Sequence, residues 1–205
     1  MRFKLQMRKL VTLLASLLAL ASACGESAGG GGGEPAARGG GEPQRFAADI
    51  TPLNRSEVEG TARMSLADNH LTVDIDARGL EPSTIHAQHI HGVLDGNREA
   101  SCPASGDDPD ADGFVGLDEG KSAYGGDLLA LEPFPTVGPS GRLDWNLTLD
   151  VDPDELRPLE RRVLLLRGGL ADLDAKGGAD YVPDLPVACA VIRPLESRAS
   201  ERSKG

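Results

Sequence analysis

The chain has little of what most catalytic signatures need. Aromatic residues make up 3% of it, with one Trp, two Tyr and four Phe. Any core must therefore be built from Leu, Val, Ile and Ala. Residues 46–195 hold no G-x-S-x-G nucleophile elbow, and the chain has no glycine loop placed after a strand to cradle phosphate and no repeat at solenoid spacing. Helix signals are scarce. Positive charge is also short, 21 Lys and Arg against 32 Asp and Glu, for a formal net charge of −11. A surface of that sign repels phosphate backbones and attracts cations, which argues against a nucleic-acid partner. Cysteine is limited to three residues and histidine to four.

The apolar residues that are present fall into a distinct order. Residues 1–23 read as an export leader. Arg2, Lys4, Arg8 and Lys9 form a basic start, and "LVTLLASLLALA" (Leu10–Ala21) is an apolar core too short to cross a bilayer as a mature helix. Removing this leader takes away only positive charge. "ASAC" (Ala21–Cys24) resembles a bacterial lipobox, which implies lipidation of Cys24 and a membrane-anchored protein of the cell envelope. Residues 24–45, rich in Gly and nearly devoid of apolar side chains, cannot bury enough surface to offset their ordering entropy and read as a flexible tether. Residues 196–205 read as a disordered polar tail. Between them, residues 46–195 are long enough for one domain with one core.

In that domain the apolar period is two. Val58, Ala62, Met64 and Leu66 alternate with polar residues. After the turn signal "ADN" (Ala67–Asn69), so do Leu71, Val73, Ile75 and Ala77, which reads as an antiparallel hairpin with one wet face. "LDWNLTLDV" (Leu143–Val151) alternates likewise, and "RVLLLR" (Arg162–Arg167) and "LPVACAVI" (Leu185–Ile192) read as deeply buried strands. Pro153 and Pro158 confine the one helix signal, "DPDELRPL" (Asp152–Leu159), to about one turn. The fold class is all-β, an antiparallel sandwich or barrel. Export places Cys102 and Cys189 in an oxidising compartment, where a disulfide is preferred over two separate thiols.

Two segments carry candidate chemistry. "DPDADGFVGLDE" (Asp108–Glu119) fits an EF-hand calcium loop. Asp108, Asp110 and Asp112 occupy its first, third and fifth places, and Gly113 its sharp turn. Phe114 offers a backbone carbonyl, Gly116 leaves room for a water, and Glu119 closes the loop with two oxygens. The flanking helices of an EF-hand are not evident, so this is a calcium loop on a β scaffold. The second segment is "IHAQHIHGVLD" (Ile85–Asp95), which holds three of the four histidines. On a strand, His89 and His91 share a face and could chelate copper or zinc, while His86 points the other way and is cast as structural. His70, beside the turn, reads as a surface residue.

"LEPSTIHAQHIHGVLDGNREASC" (Leu80–Cys102) resembles the copper-site segment of Cu/Zn superoxide dismutases, and "LPVACAVI" resembles their C-terminal strand. "HIHG" (His89–Gly92) also resembles the CHRD domain of exported proteins. The dismutase resemblance implies a Greek-key β-barrel, a Cys102–Cys189 bridge, copper at His89 and His91, and a structural His86. The bridging and zinc-ligating histidines of that family are missing, and Arg167 stands near where its last copper histidine falls. An arginine has no lone pair to offer a metal. The sequence therefore favours a non-catalytic, calcium-binding, envelope-anchored module that engages an unidentified protein or envelope partner. An atypical copper protein using His89 and His91 is the alternative.

Overall fold

The computed structural model describes residues 42–94, 98–172 and 177–196. The leader, Cys24, the tether up to residue 41 and the tail from residue 197 lie outside the described residues. The described residues fall in one compact unit. It contains strands β1 (Gln44–Pro52), β2 (Glu59–Ala67), β3 (His70–Arg78), β4 (Ala87–Gly92), β5 (Gly126–Ala130), β6 (Leu143–Asp150), β7 (Val163–Ala171), β8 (Asp180–Val191) and β9 (Arg193–Pro194). All pairings are antiparallel, in the order β5-β4-β7-β8-β1-β2-β3-β6, with β9 added to β1. The fold class expected from the sequence is the one found. Strand β6 returns beside β3, and β7 beside β4, which are Greek-key connections. The sheet curls because β1 changes partner along its length. Gln44–Ile50 pair with β2, whereas Thr51 and Pro52 pair with Cys189 and Ala188 of β8. Among the described residues no ladder joins β5 to β6, so the curled sheet is an open half-barrel.

The hairpin of β2 and β3 forms where the alternation places it. Ala67 pairs with His70, leaving a two-residue turn, and Asp68 takes the left-handed conformation (φ 51°) that such turns need. Its inner face (Met64, Leu66, Leu71, Val73, Ile75) is at most 3% exposed. Its outer face carries cross-strand polar pairs, Arg78 with Glu59 at 2.6 Å and Thr72 with Thr148 at 3.0 Å. Strand β6 alternates too, but Trp145, Leu147 and Leu149 are only half-buried, because among the described residues no strand lies beyond it to extend the core. The helical turn Pro153–Leu156 is capped by Asp152, whose carboxylate accepts the Asp154 N–H at 2.9 Å.

Strand β7 shows why a run such as "VLLL" does not alternate. Leu164 and Leu166 face the main core inside the curl. Val163 and Leu165 face outward but are equally buried, against Ala100, Tyr124 and Cys189. The segment between β4 and β5 covers them, held down by a disulfide from Cys102 to Cys189 with a Cα–Cα distance of 5.7 Å. Two differences from the sequence reading concern boundaries. Gln44 and Arg45, assigned to the tether, already pair with Leu66 and Ser65, since Phe46, Ala48 and Ile50 draw the whole strand onto β2. A helical turn, Lys121–Tyr124, also follows the acidic loop directly, with Gly120 as its N-cap, where no flanking helix was evident.

Candidate functional site

The covering segment carries both candidate centres. In the acidic loop, Asp108, Asp110 and Asp112 each turn a carboxylate oxygen inward, all within 4.8 Å of one another. Backbone donors set their orientation. Asp108 Oδ2 accepts from Gly113 N–H at 2.9 Å, Asp110 Oδ1 from Asp112 N–H at 3.2 Å, and Asp112 Oδ1 from Phe114 N–H at 2.8 Å. Asp108 Oδ1 is buried with no hydrogen-bond partner. Gly113 sits at φ 89°, the left-handed turn expected there, and a Cβ on it would strike the Arg55 guanidinium at 2.2 Å. Three carboxylates at this spacing repel one another unless a cation lies between them.

Not every expected ligand is gathered. Glu119 is turned to its own loop, its Oε2 accepting the Gly116 N–H at 2.6 Å. The Phe114 ring lies under the Arg55 guanidinium, 5.4 Å from centroid to Cζ. The loop is anchored at two points that sequence reasoning missed. Asn54 pairs with Val115 as a strand would. Its Oδ1 accepts the Val115 N–H at 2.6 Å, and its Nδ2 donates to the Val115 carbonyl at 2.9 Å and to the Pro186 carbonyl at 2.8 Å. Beyond the loop, the buried Tyr124 hydroxyl donates to the Leu117 carbonyl. Burial pushes the pKa of that phenol upward.

The histidines lie beneath this cover. On β4, Gln88 and Ile90 face the inner core, and His89 and His91 share the outer face with ring centroids 6.2 Å apart. His86, fully buried just before β4, has Nδ1 3.1 Å from the Arg167 carbonyl and Nε2 3.2 Å from the Glu81 carbonyl. His70 is exposed and lies 2.7 Å from Asp150.

His91 is 2% exposed and does not stand free. The β4–β5 register sets it opposite Asp127, and the β4–β7 register sets Ala87 opposite Arg167. His91 Nε2 is 2.7 Å from Asp127 Oδ1 and 2.9 Å from Arg167 Nη2, and Arg167 Nη2 also bonds to Asp127 Oδ1. Asp127 Oδ1 accepts from the guanidinium, and His91 Nε2 meets both groups, donating to the carboxylate or accepting from Arg167 Nη2 according to its tautomer. The edge-on Tyr124 ring closes over His91 at 4.8 Å.

Burial lowers the His91 pKa to about 4, with the Arg167 charge adding to the effect and the Asp127 charge opposing it. Burial and then Arg167 also lower that of His89, whose ring packs on Phe134 at 5.2 Å. Both imidazoles are thus neutral at pH 7. Copper held through His91 Nε2 does not fit this arrangement. His91 Nε2 is engaged by its neighbours, and a guanidinium lies against it.

No family model matches the chain, and no curated protein matches it. Among solved structures it is similar to a mutant form of superoxide dismutase 5 from Candida albicans. The TM-score is 0.41 and the identity 13%, over 76% of this chain and 94% of that chain. At that identity no residue role carries over.

Proposed function

We propose that this chain is a calcium-binding β-domain, a non-catalytic module held by a lipidated Cys24 at the outer face of a membrane, which presents a calcium-ordered loop to a partner. One observation carries the reading. Asp108, Asp110 and Asp112 converge within 4.8 Å, and the innermost of them keeps a buried oxygen without a partner. Hard carboxylate oxygens at that spacing suit calcium, with backbone carbonyls and water completing its shell of six to eight. Glu119 would exchange the Gly116 N–H for the ion, since it needs only to release one hydrogen bond. Extracellular calcium is abundant enough to fill even a weak site. The export leader and the "ASAC" match support the anchored, extracytoplasmic setting.

The reading is tested by calorimetric titration of residues 42–196 with calcium. A single site is expected, abolished in Asp108→Asn and weakened in Glu119→Gln. A flat titration at millimolar calcium sinks it. A second reading, a copper handler, draws on the Nδ1 atoms of His89 and His91, both buried without partners. Copper binding that disappears in a His89→Ala, His91→Ala double variant would favour that reading.

A further inference from the structure

Beneath the covering segment, independently of the calcium loop, lies a centre whose charge is already balanced from within. We propose that Arg167 is the resident cation of this centre. Its guanidinium bonds to Asp127 Oδ1 and lies against His91 Nε2, the two atoms a divalent transition metal would need, and so denies them to such a metal.

The donor types are those a transition metal takes, two imidazoles and a carboxylate on neighbouring strands, His89 and His91 on β4 and Asp127 on β5, although the three are not gathered at metal-ligand spacing. That combination is a usual one for zinc and for other first-row metals. What stands in the bite is Arg167 Nη2, 2.9 Å from His91 Nε2 and bonded to Asp127 Oδ1. A guanidinium keeps its proton at any accessible pH and has no lone pair, so it can neither ligate a metal nor become neutral to admit one. Its side chain is 5% exposed, so it cannot simply swing into solvent. The side-chain group among the described residues with metal-like spacing is the aspartate trio, not this cluster.

The hydrogen-bond pattern points the same way. Arg167 Nε, His91 Nδ1 and His89 Nδ1 are all buried without partners. The cluster satisfies its charges while leaving several polar atoms unmet, as expected where a fixed cation has been fitted among donors suited to a different one. The Tyr124 ring seals it on the outer side.

The test titrates the exported chain, in saturating calcium to fill the acidic loop, with cobalt(II) and zinc. Native protein should show no visible cobalt d–d bands and no shift of the His89 or His91 ring-nitrogen resonances. Arg167→Ala and Arg167→Gln should each take up a single equivalent of cobalt, and lose it again when Asp127→Asn is added. If these variants do not fold alone, zinc should restore their folding. Native protein that binds cobalt through His91 would overturn the proposal. So would folded variants that bind none, or unfolded ones that zinc does not rescue.

Discussion

Asn54 offers the most direct perturbation of the link between scaffold and loop. Replacing it removes three hydrogen bonds at once, two to Val115 and one to Pro186, of 2.6, 2.9 and 2.8 Å. At a net contribution of about 1 kcal/mol each, their loss costs about 3 kcal/mol. Val115 is 6% exposed and Pro186 is buried, so water does not readily replace the missing partner, which keeps the figure from shrinking. Asn54 also sits at φ 52°. Alanine there adds roughly 1 to 2 kcal/mol of backbone strain, whereas glycine adds none. Asn54→Gly therefore isolates the hydrogen bonds, and Asn54→Ala should be the worse of the two. For a domain of this size each kcal/mol shifts Tm by about 2 to 4 °C, so Asn54→Gly should melt about 6 to 12 °C lower by scanning calorimetry. Its calcium affinity should fall as well, because Val115 lies inside the loop. A Tm loss of only a degree or two in Asn54→Gly, with calcium binding intact, would refute the reasoning.

The disulfide and the buried histidine give two further expectations. The Cys102–Cys189 bridge spans 87 residues of sequence, so loop-closure entropy assigns it about 4.6 kcal/mol. The Cys102→Ser, Cys189→Ser double variant should lose most of that in urea unfolding, and a loss below about 1 kcal/mol would contradict the staple role. His91 binds its proton in the unfolded chain near 6.5 but in the folded chain only at about 4. Its contribution to stability is therefore complete above the unfolded value and lost as pH falls through that window. At 1.36 kcal/mol per unit this amounts to roughly 3 kcal/mol. His91→Gln should flatten the stability profile over this range relative to native protein, and parallel profiles would show the site to be wrongly described.

The sequence revealed those parts of the molecule that rest on local pattern. The β2–β3 hairpin was legible because Leu71, Val73 and Ile75 each occupy a buried position at period two. The acidic loop was legible because its acidic residues lie within twelve consecutive positions. Strand β1 was harder to see. Phe46, Ala48 and Ile50 alternate, but they abut a glycine-rich stretch whose composition masked the boundary. The centre around His91 could not be read along the chain. Asp127 and Arg167 lie 36 and 76 residues further on, and only strand registers bring them to His91. The sequence pointed to Arg167 as an obstacle to a metal, but its carboxylate partner carried no signal, since "GDLLA" is an ordinary short strand. Asn54 was equally silent. Its role depends on a left-handed backbone and on a loop 61 residues away.

If this β scaffold holds a hard cation at its surface, and an internal arginine stands against the groups a redox metal would need, the native protein should carry one ion and exclude the other. Elemental analysis of the protein recovered from its exported location, without added metal or chelator, tests both halves together. About one calcium per chain and no copper or zinc is the expected result. Stoichiometric copper without calcium would contradict it.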